Sequence, residues 1–302
     1  MRRRHLFEFE DLGWFPGFLR DAVTDWLRDT LVVGRKVYAP VVPMLIELLD
    51  SQGTNQIVDL CSGGSGPWAH LKPDIDQARA AVGDLPVTVT LTDLYPNVAA
   101  FEAAAKKIGD GLQYRTESID ARSVPTDLTG IRTMFTSFHH LRPDAARVVL
   151  ADAFSARRAV GVFEFTERRW APIAQTVVLA PVLVLANAAR HRPAQWRRLL
   201  LTYVLPVVPV AVTWDGIVSN LRTRTAVEML ALTADLAADD YVWRTGQTAG
   251  SRSGPPVTYL LGTPMVRPSH QAGPENPTRA ADDRAAPQAE RRPGTIQPES
   301  GA

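Results

Sequence analysis

One cysteine, Cys61, occurs in 302 residues. A single thiol excludes an internal disulfide framework and a cysteine-built zinc site, and it suits a reducing compartment. Net charge is nearly absent too, since 33 Lys and Arg stand against 32 Asp and Glu. No global field draws such a chain onto nucleic acid, so no nucleic-acid partner is expected. A secretory leader is not expected from the pattern of the first residues. Arg2, Arg3 and Arg4 open the chain as a signal peptide does, but Glu8, Glu10 and Asp11 fall where its apolar stretch should run, and a cytoplasmic location is expected. Beyond residue 263 large apolar side chains are scarce. Residues 264–302 therefore read as a disordered tail, with too little surface to bury against the entropy of ordering.

The full chain is 45% hydrophobic, enough for a full core. Residues 1–50 read as an aromatic-rich helical cap, with Phe15, Phe18, Val23, Trp26 and Leu27 near helical spacing. Trp14, Phe15 and Trp26 either only cap the main domain or line a substrate entrance. From residue 51 to 263 short apolar runs at 57–60, 87–94, 112–118, 133–138 and 159–165 alternate with helical text at 97–108 and 144–158. A helix at 225–238 and an antiparallel hairpin, 241–248 with 256–262, follow. This pattern predicts an α/β fold: a Rossmann-like, seven-stranded, mostly parallel sheet with a C-terminal antiparallel hairpin and a helical insertion, 170–214, before the sixth strand.

The strongest local signal is Val58-Asp59-Leu60-Cys61-Ser62-Gly63-Gly64-Ser65-Gly66, a strand running directly into a glycine cluster. Such a loop lets backbone approach a ligand where larger side chains would obstruct it. The segment resembles the first motif of class I S-adenosylmethionine-dependent methyltransferases, with Asp59 at the acid and Gly63 at the central glycine. Cys61 stands in place of the first glycine, and Ser65-Gly66 lies where the last is expected. Residues 64–69 also match the dinucleotide pattern G-x-G-x-x-A. Against that reading stand the acid at the strand end, the bulk of Pro67-Trp68 where a pyrophosphate would approach, and the closing antiparallel hairpin.

The resemblance implies S-adenosyl-L-methionine as cofactor, held by Asp59, Cys61, Ser62, Gly63, Gly64 and Gly66 of the loop. It implies that Asp93, followed by Leu94 at the end of the second strand, accepts both ribose hydroxyls through a charge-assisted pair of hydrogen bonds. It further implies that Ile119 packs on the adenine and Asp120 accepts its amino group. Phe138-His139-His140 closes the fourth expected strand, and similar aromatic–His–His endings occur in methyltransferases acting on small molecules. The Asn/Asp-Pro-Pro-Tyr ending of enzymes that methylate base amines is absent. His139 and His140 either take a proton from a hydroxyl acceptor or pack and hydrogen-bond in the pocket wall. Glu167 and Asp215 are further catalytic candidates, with surface ion pairing as the alternative. A two-histidine metal site needs a third ligand that the sequence does not identify, and no metal is assigned.

Residues 171–189 carry no charge, nor do 199–214. The first run nearly suffices to span a hydrocarbon core of about 30 Å. Either the two form a buried helical pair walling an apolar pocket, or they associate with a membrane. Both favour a hydrophobic acceptor such as a lipid, quinone or aromatic metabolite. The alternative to an enzyme is a catalytically silent, membrane-associated cofactor-binding regulator.

Overall fold

The computed structural model describes residues 1–27, 37–188, 196–248 and 254–265. The tail expected at 264–302 falls outside the described residues but for its first two positions, as do residues 249–253 between the two hairpin strands.

Seven strands form one sheet: β1 (Gln56–Asp59), β2 (Thr88–Leu91), β3 (Leu112–Tyr114), β4 (Ile131–Phe135), β5 (Val160–Glu164), β6 (Tyr241–Gln247) and β7 (Thr258–Pro264). Their order is β3-β2-β1-β4-β5-β7-β6. β1 to β5 pair in parallel, while β7 runs antiparallel to both neighbours, β5 and β6. The seven-stranded sheet with its reversed C-terminal strand is therefore as the sequence predicts.

The strands hold their register because both faces are covered. Ile57, Val89, Ile131 and Phe163 point into one core with α2 (Val42–Ser51), α3 (Trp68–Ala80) and α4 (Val98–Ile108). Their alternates Val58, Met134 and Val162 point into a second core with α5 (Pro143–Ser155). A one-residue slip would exchange the two faces wholesale.

Three elements depart from the reading of the sequence. The fourth strand stops at Phe135, because Thr136 adopts φ +44 and turns its hydroxyl to Tyr38. His139 and His140 therefore sit on a 3-10 turn, Phe138–His140, and not on a strand end. The helix expected at 225–238 covers only Ala226–Ala231 (α9); the Thr233 hydroxyl takes the Leu230 carbonyl at 2.8 Å and competes with continuation. The expected cap holds α1 (Gly17–Leu27) and α2, joined to the sheet by different contacts. α2 belongs to the first core, whereas Phe15, Val23 and Trp26 pack against the insertion.

Candidate active site

The chain order reverses between β1 and β4, so the loops leaving these two strands diverge and open a crevice at the carboxyl edge of the sheet. A cleft of about 590 Å³ lies there. Both loops line it: Cys61, Ser62, Gly63, Gly64 and Gly66 after β1, and Thr136, Ser137 and His140 after β4. The loop after β1 needs its glycines. Cys61, Gly63, Ser65 and Gly66 all have positive φ, and a Cβ on Gly64 would stand 3.2 Å from the Thr24 carbonyl oxygen. α1 thus packs directly on the glycine loop.

Asp59 does not face the cleft. Its buried carboxylate accepts from Ser62 Oγ at 2.7 Å and Thr133 Oγ1 at 2.8 Å, and so ties the loop to β4 from beneath. Burial pushes its pKa up to about 6, against the pull of those hydroxyls. The folded-state value lies above the usual 3.8, so this group favours folding at low pH and costs stability as pH rises through the interval between the two values. The interval corresponds to about 3 kcal/mol. Urea unfolding of wild type and Asp59→Asn is expected to show wild type losing ground to the variant by about that amount between roughly pH 4 and pH 7. A difference independent of pH would contradict this placement of the charge.

Asp93 faces the cleft. One carboxylate oxygen accepts the Gly63 N–H and the other the Tyr95 N–H, both at 2.8 Å. Each oxygen has further accepting capacity. Leu94 also lines the cleft. The two residues predicted for the base behave otherwise. The Ile119 side chain is buried in the second core, and Asp120 is held by Arg122 in a bidentate pair. Neither is among the cleft-lining residues, and Phe138 is fully buried beneath the Arg224 guanidinium.

The histidines are pinned by carboxylates. His139 is buried with Nδ1 2.7 Å from Glu164 Oε2, and its backbone N–H reaches Glu164 Oε1 at 3.2 Å. His140 lines the cleft, with Nδ1 2.7 Å from Asp11 and 3.3 Å from Glu8. Burial alone would lower the His140 pKa, but the carboxylates of Glu8 and Asp11 outweigh it and raise the value to about 10. His140 is therefore an imidazolium at neutral pH in this arrangement, which favours the reading in which it hydrogen-bonds in the pocket wall over the one in which it takes a proton. Glu167 lies off the cleft, accepting from Gln247 Nε2 at 2.9 Å beside Arg169. Asp215 is also off the cleft. Its Oδ1 accepts the Phe9 N–H at 2.8 Å and its Oδ2 the Glu10 N–H at 3.4 Å, which anchors the N-terminal segment. Burial raises Asp215 to about 7 and Glu10 to about 8.

That N-terminal segment is the part that sequence reasoning missed. His5, Leu6, Phe7, Glu10 and Asp11 roof the cleft, and Arg20 and Thr24 of α1 close its side. His5 is neutral at pH 7, its pKa lowered to about 4 by burial and by Arg222 and Arg3. The acidic run Glu8–Asp11 was the available signal: carboxylates so close to an aromatic cluster need cationic partners. Trp14, by contrast, is exposed, and neither Phe15 nor Trp26 reaches the cleft.

No residue of 170–214 lines the cleft either. The insertion comprises α6 (Trp170–Asn187), α7 (Trp196–Leu199) continuing through a π turn to Val204, and α8 (Val207–Arg222). α6 buries only Ala180 and Val184, and one stripe cannot hide a helix that is apolar all round. The expected buried pair walling the main pocket is therefore corrected. The insertion instead bounds a separate open groove, with Phe9, Phe15, Leu205, Pro206 and Val210. α6 is long and apolar enough to cross a membrane, with 11% of it buried, whereas the second arm bends by 76°.

The seven-stranded order and the glycine loop at the β1 edge give the fold of class I methyltransferases. No protein-family model matches the sequence, and no curated protein matches it. Solved structures do match. An O-methyltransferase family protein from Burkholderia thailandensis is 16% identical over 82% of this chain and 60% of its own, at TM-score 0.44. A magnesium protoporphyrin IX methyltransferase from Synechocystis PCC 6803, with bound SAH, is 13% identical over 82% and 87%, at 0.38. A putative Zn-dependent alcohol dehydrogenase from Rhodobacter sphaeroides is 10% identical over 82% and 98%, at 0.45. The chain thus spans less than two thirds of the Burkholderia protein. All three lie below a TM-score of 0.5 and under 20% identity, and they do not distinguish one reaction from another.

Proposed function

We propose that the chain is an S-adenosylmethionine-dependent methyltransferase whose acceptor is a small apolar molecule drawn from a membrane surface. The observation that carries the cofactor assignment is the pairing of the open glycine loop with Asp93 across one cleft. A chain with positive φ at Gly63 and no side chain there admits the amino-acid end of the cofactor. The free lone pairs of Asp93 suit two ribose hydroxyls. When bound, the cofactor supplies an activated methyl group on a sulfonium. The residues of this chain orient it, while the N-terminal roof excludes water. Transfer forms the bond from the methyl carbon to the acceptor atom and breaks the carbon–sulfur bond, leaving the demethylated thioether. Positioning supplies most of the rate in this reading, because the donor is already reactive.

The apolar acceptor rests on the outward face of the insertion. Trp170 and Trp196 are 75% and 68% exposed, and Val178, Val182 and Val204 are exposed with them. Arg197 stacks on Trp196 at 5.5 Å, as aromatic and basic anchors do at a lipid interface. An in-plane attachment fits better than a span. α1, which carries Asp25, lies against the insertion, and Asp25 pairs with the buried Arg198. That same pair removes Arg198 from the basic residues free to meet lipid headgroups. We therefore place the protein on a cytoplasmic membrane face.

Vesicle sedimentation is expected to show binding to anionic bilayers that weakens with salt. Val178→Asp with Val182→Asp should weaken it by roughly tenfold or more, since two carboxylates would have to leave water. Equal binding by this variant would remove the membrane assignment. Transfer of label from methyl-labelled cofactor into an extracted membrane-lipid fraction tests the activity. Labelling that requires Asp93 supports an enzyme; cofactor binding without any transfer supports the silent regulator.

A further inference from the structure

Beside the cleft, the fold brings together two mid-chain histidines and a carboxylate of the N-terminal segment. Glu8, His139 and His140 each offer one ligand atom, and these atoms all lie within 4.8 Å of one another. Glu8 and His139 are each 1% exposed. His139 Nδ1 is committed to Glu164, which leaves Nε2 as its ligand atom. That nitrogen is buried without a hydrogen-bond partner, 3.9 Å from Glu8 Oε1. Glu8 Oε1 is likewise buried without a hydrogen bond; Arg222 Nη1 stands 3.3 Å away as an ion-pair partner only. Two buried polar atoms 3.9 Å apart, neither with a hydrogen-bond partner in the protein, are costly unless something sits between them.

We propose that Glu8, His139 and His140 form a divalent metal site of the zinc class at the inner wall of the cleft. Two imidazoles and one carboxylate suit a borderline-soft cation and leave a coordination position open. Glu164 completes the arrangement, because a carboxylate on the far nitrogen of a ligating histidine fixes its tautomer and orientation. On ligation His140 gives one imidazole proton to solvent, as metal binding to imidazole requires. Arg222 then keeps Asp11, its second carboxylate partner. His140 lines the cleft, so the open position is reached from the side where an acceptor would enter. Metal binding itself stands apart from the methyl-transfer reading; only its use on an acceptor hydroxyl, whose proton a bound cation would make easier to lose, rests on that reading.

The test is calorimetric titration of chelator-treated full-length protein with Zn²⁺, without cofactor. Co²⁺ absorption serves as an independent reporter of nitrogen and oxygen coordination. One equivalent per chain is expected, with a rise in melting temperature. Glu164→Gln should weaken binding about 10- to 100-fold. Glu8→Gln and His139→Gln should weaken it further, while the exposed Glu117→Gln should not. Circular dichroism and a separate cofactor titration establish that each variant is folded. Should one ligand variant fail to fold, the other and the thermal shift of wild type still decide the matter. No saturable binding by wild type, or equal binding by folded Glu8→Gln and His139→Gln, would overturn the site. Loss of metal binding with cofactor binding intact would count against this site alone.

Discussion

Asp93→Ala is expected to weaken S-adenosylmethionine binding by about 10- to 150-fold, the range for losing hydrogen bonds to a charged group. The carboxylate does two things at once. It fixes the glycine loop by accepting the Gly63 N–H, and it presents its remaining lone pairs to the cleft. Asp93→Asn separates these roles, since one amide oxygen can still accept from Gly63 but the NH2 group cannot accept a ribose hydroxyl. Asn should therefore preserve the melting temperature better than Ala while recovering only part of the affinity. Equal affinities for wild type and Ala, with unchanged circular dichroism, would remove Asp93 from the site.

Arg222→Met is expected to cost about 3–5 kcal/mol of stability, the usual consequence of leaving buried charges without their partner. Arg222 is 2% exposed and gathers the N-terminal segment. Its Nε donates to the Leu6 carbonyl at 2.7 Å, its Nη1 pairs with Asp11 and Glu8, and its own carbonyl accepts from Arg3 Nε at 2.6 Å. Met keeps the length and apolar packing but none of the charge. The roof of the cleft should then loosen, so limited proteolysis ought to cut within the first residues before the rest of the chain. Urea unfolding gives the magnitude, with the exposed Arg122→Met as a control expected to change little. A variant as stable as wild type and equally resistant to protease would mean that the segment is held by its apolar contacts alone.

These two residues also mark what the sequence discloses and what it hides. Asp93 and the glycine cluster are legible because a strand, a turn and an acid lie within a few residues and impose local geometry. The sheet is legible for the same reason: two-sided burial of β5 shows as the apolar run Val160–Phe163, although Arg132 and Thr133 interrupt the run in β4. The environment of His139 and His140 is not local. Glu8 and Asp11 reach them from well over a hundred positions earlier in the chain, and only that contact turns His140 into a cation. The sequence likewise shows that 170–214 is apolar but not which side faces outward, since every face of α6 reads alike. Asp120 was a different matter. Arg122 lies two positions away, and the pairing that removes Asp120 from the base site could have been read from that spacing.

Calorimetric titration of the full-length protein with S-adenosylmethionine, its demethylated product and NADH in parallel is the most direct measurement of the central claim. One molecule of S-adenosylmethionine or of its product should bind per chain, each displacing the other, with no binding of NADH. Saturable binding of NADH without either sulfur ligand would contradict the account and assign the glycine loop to a dinucleotide.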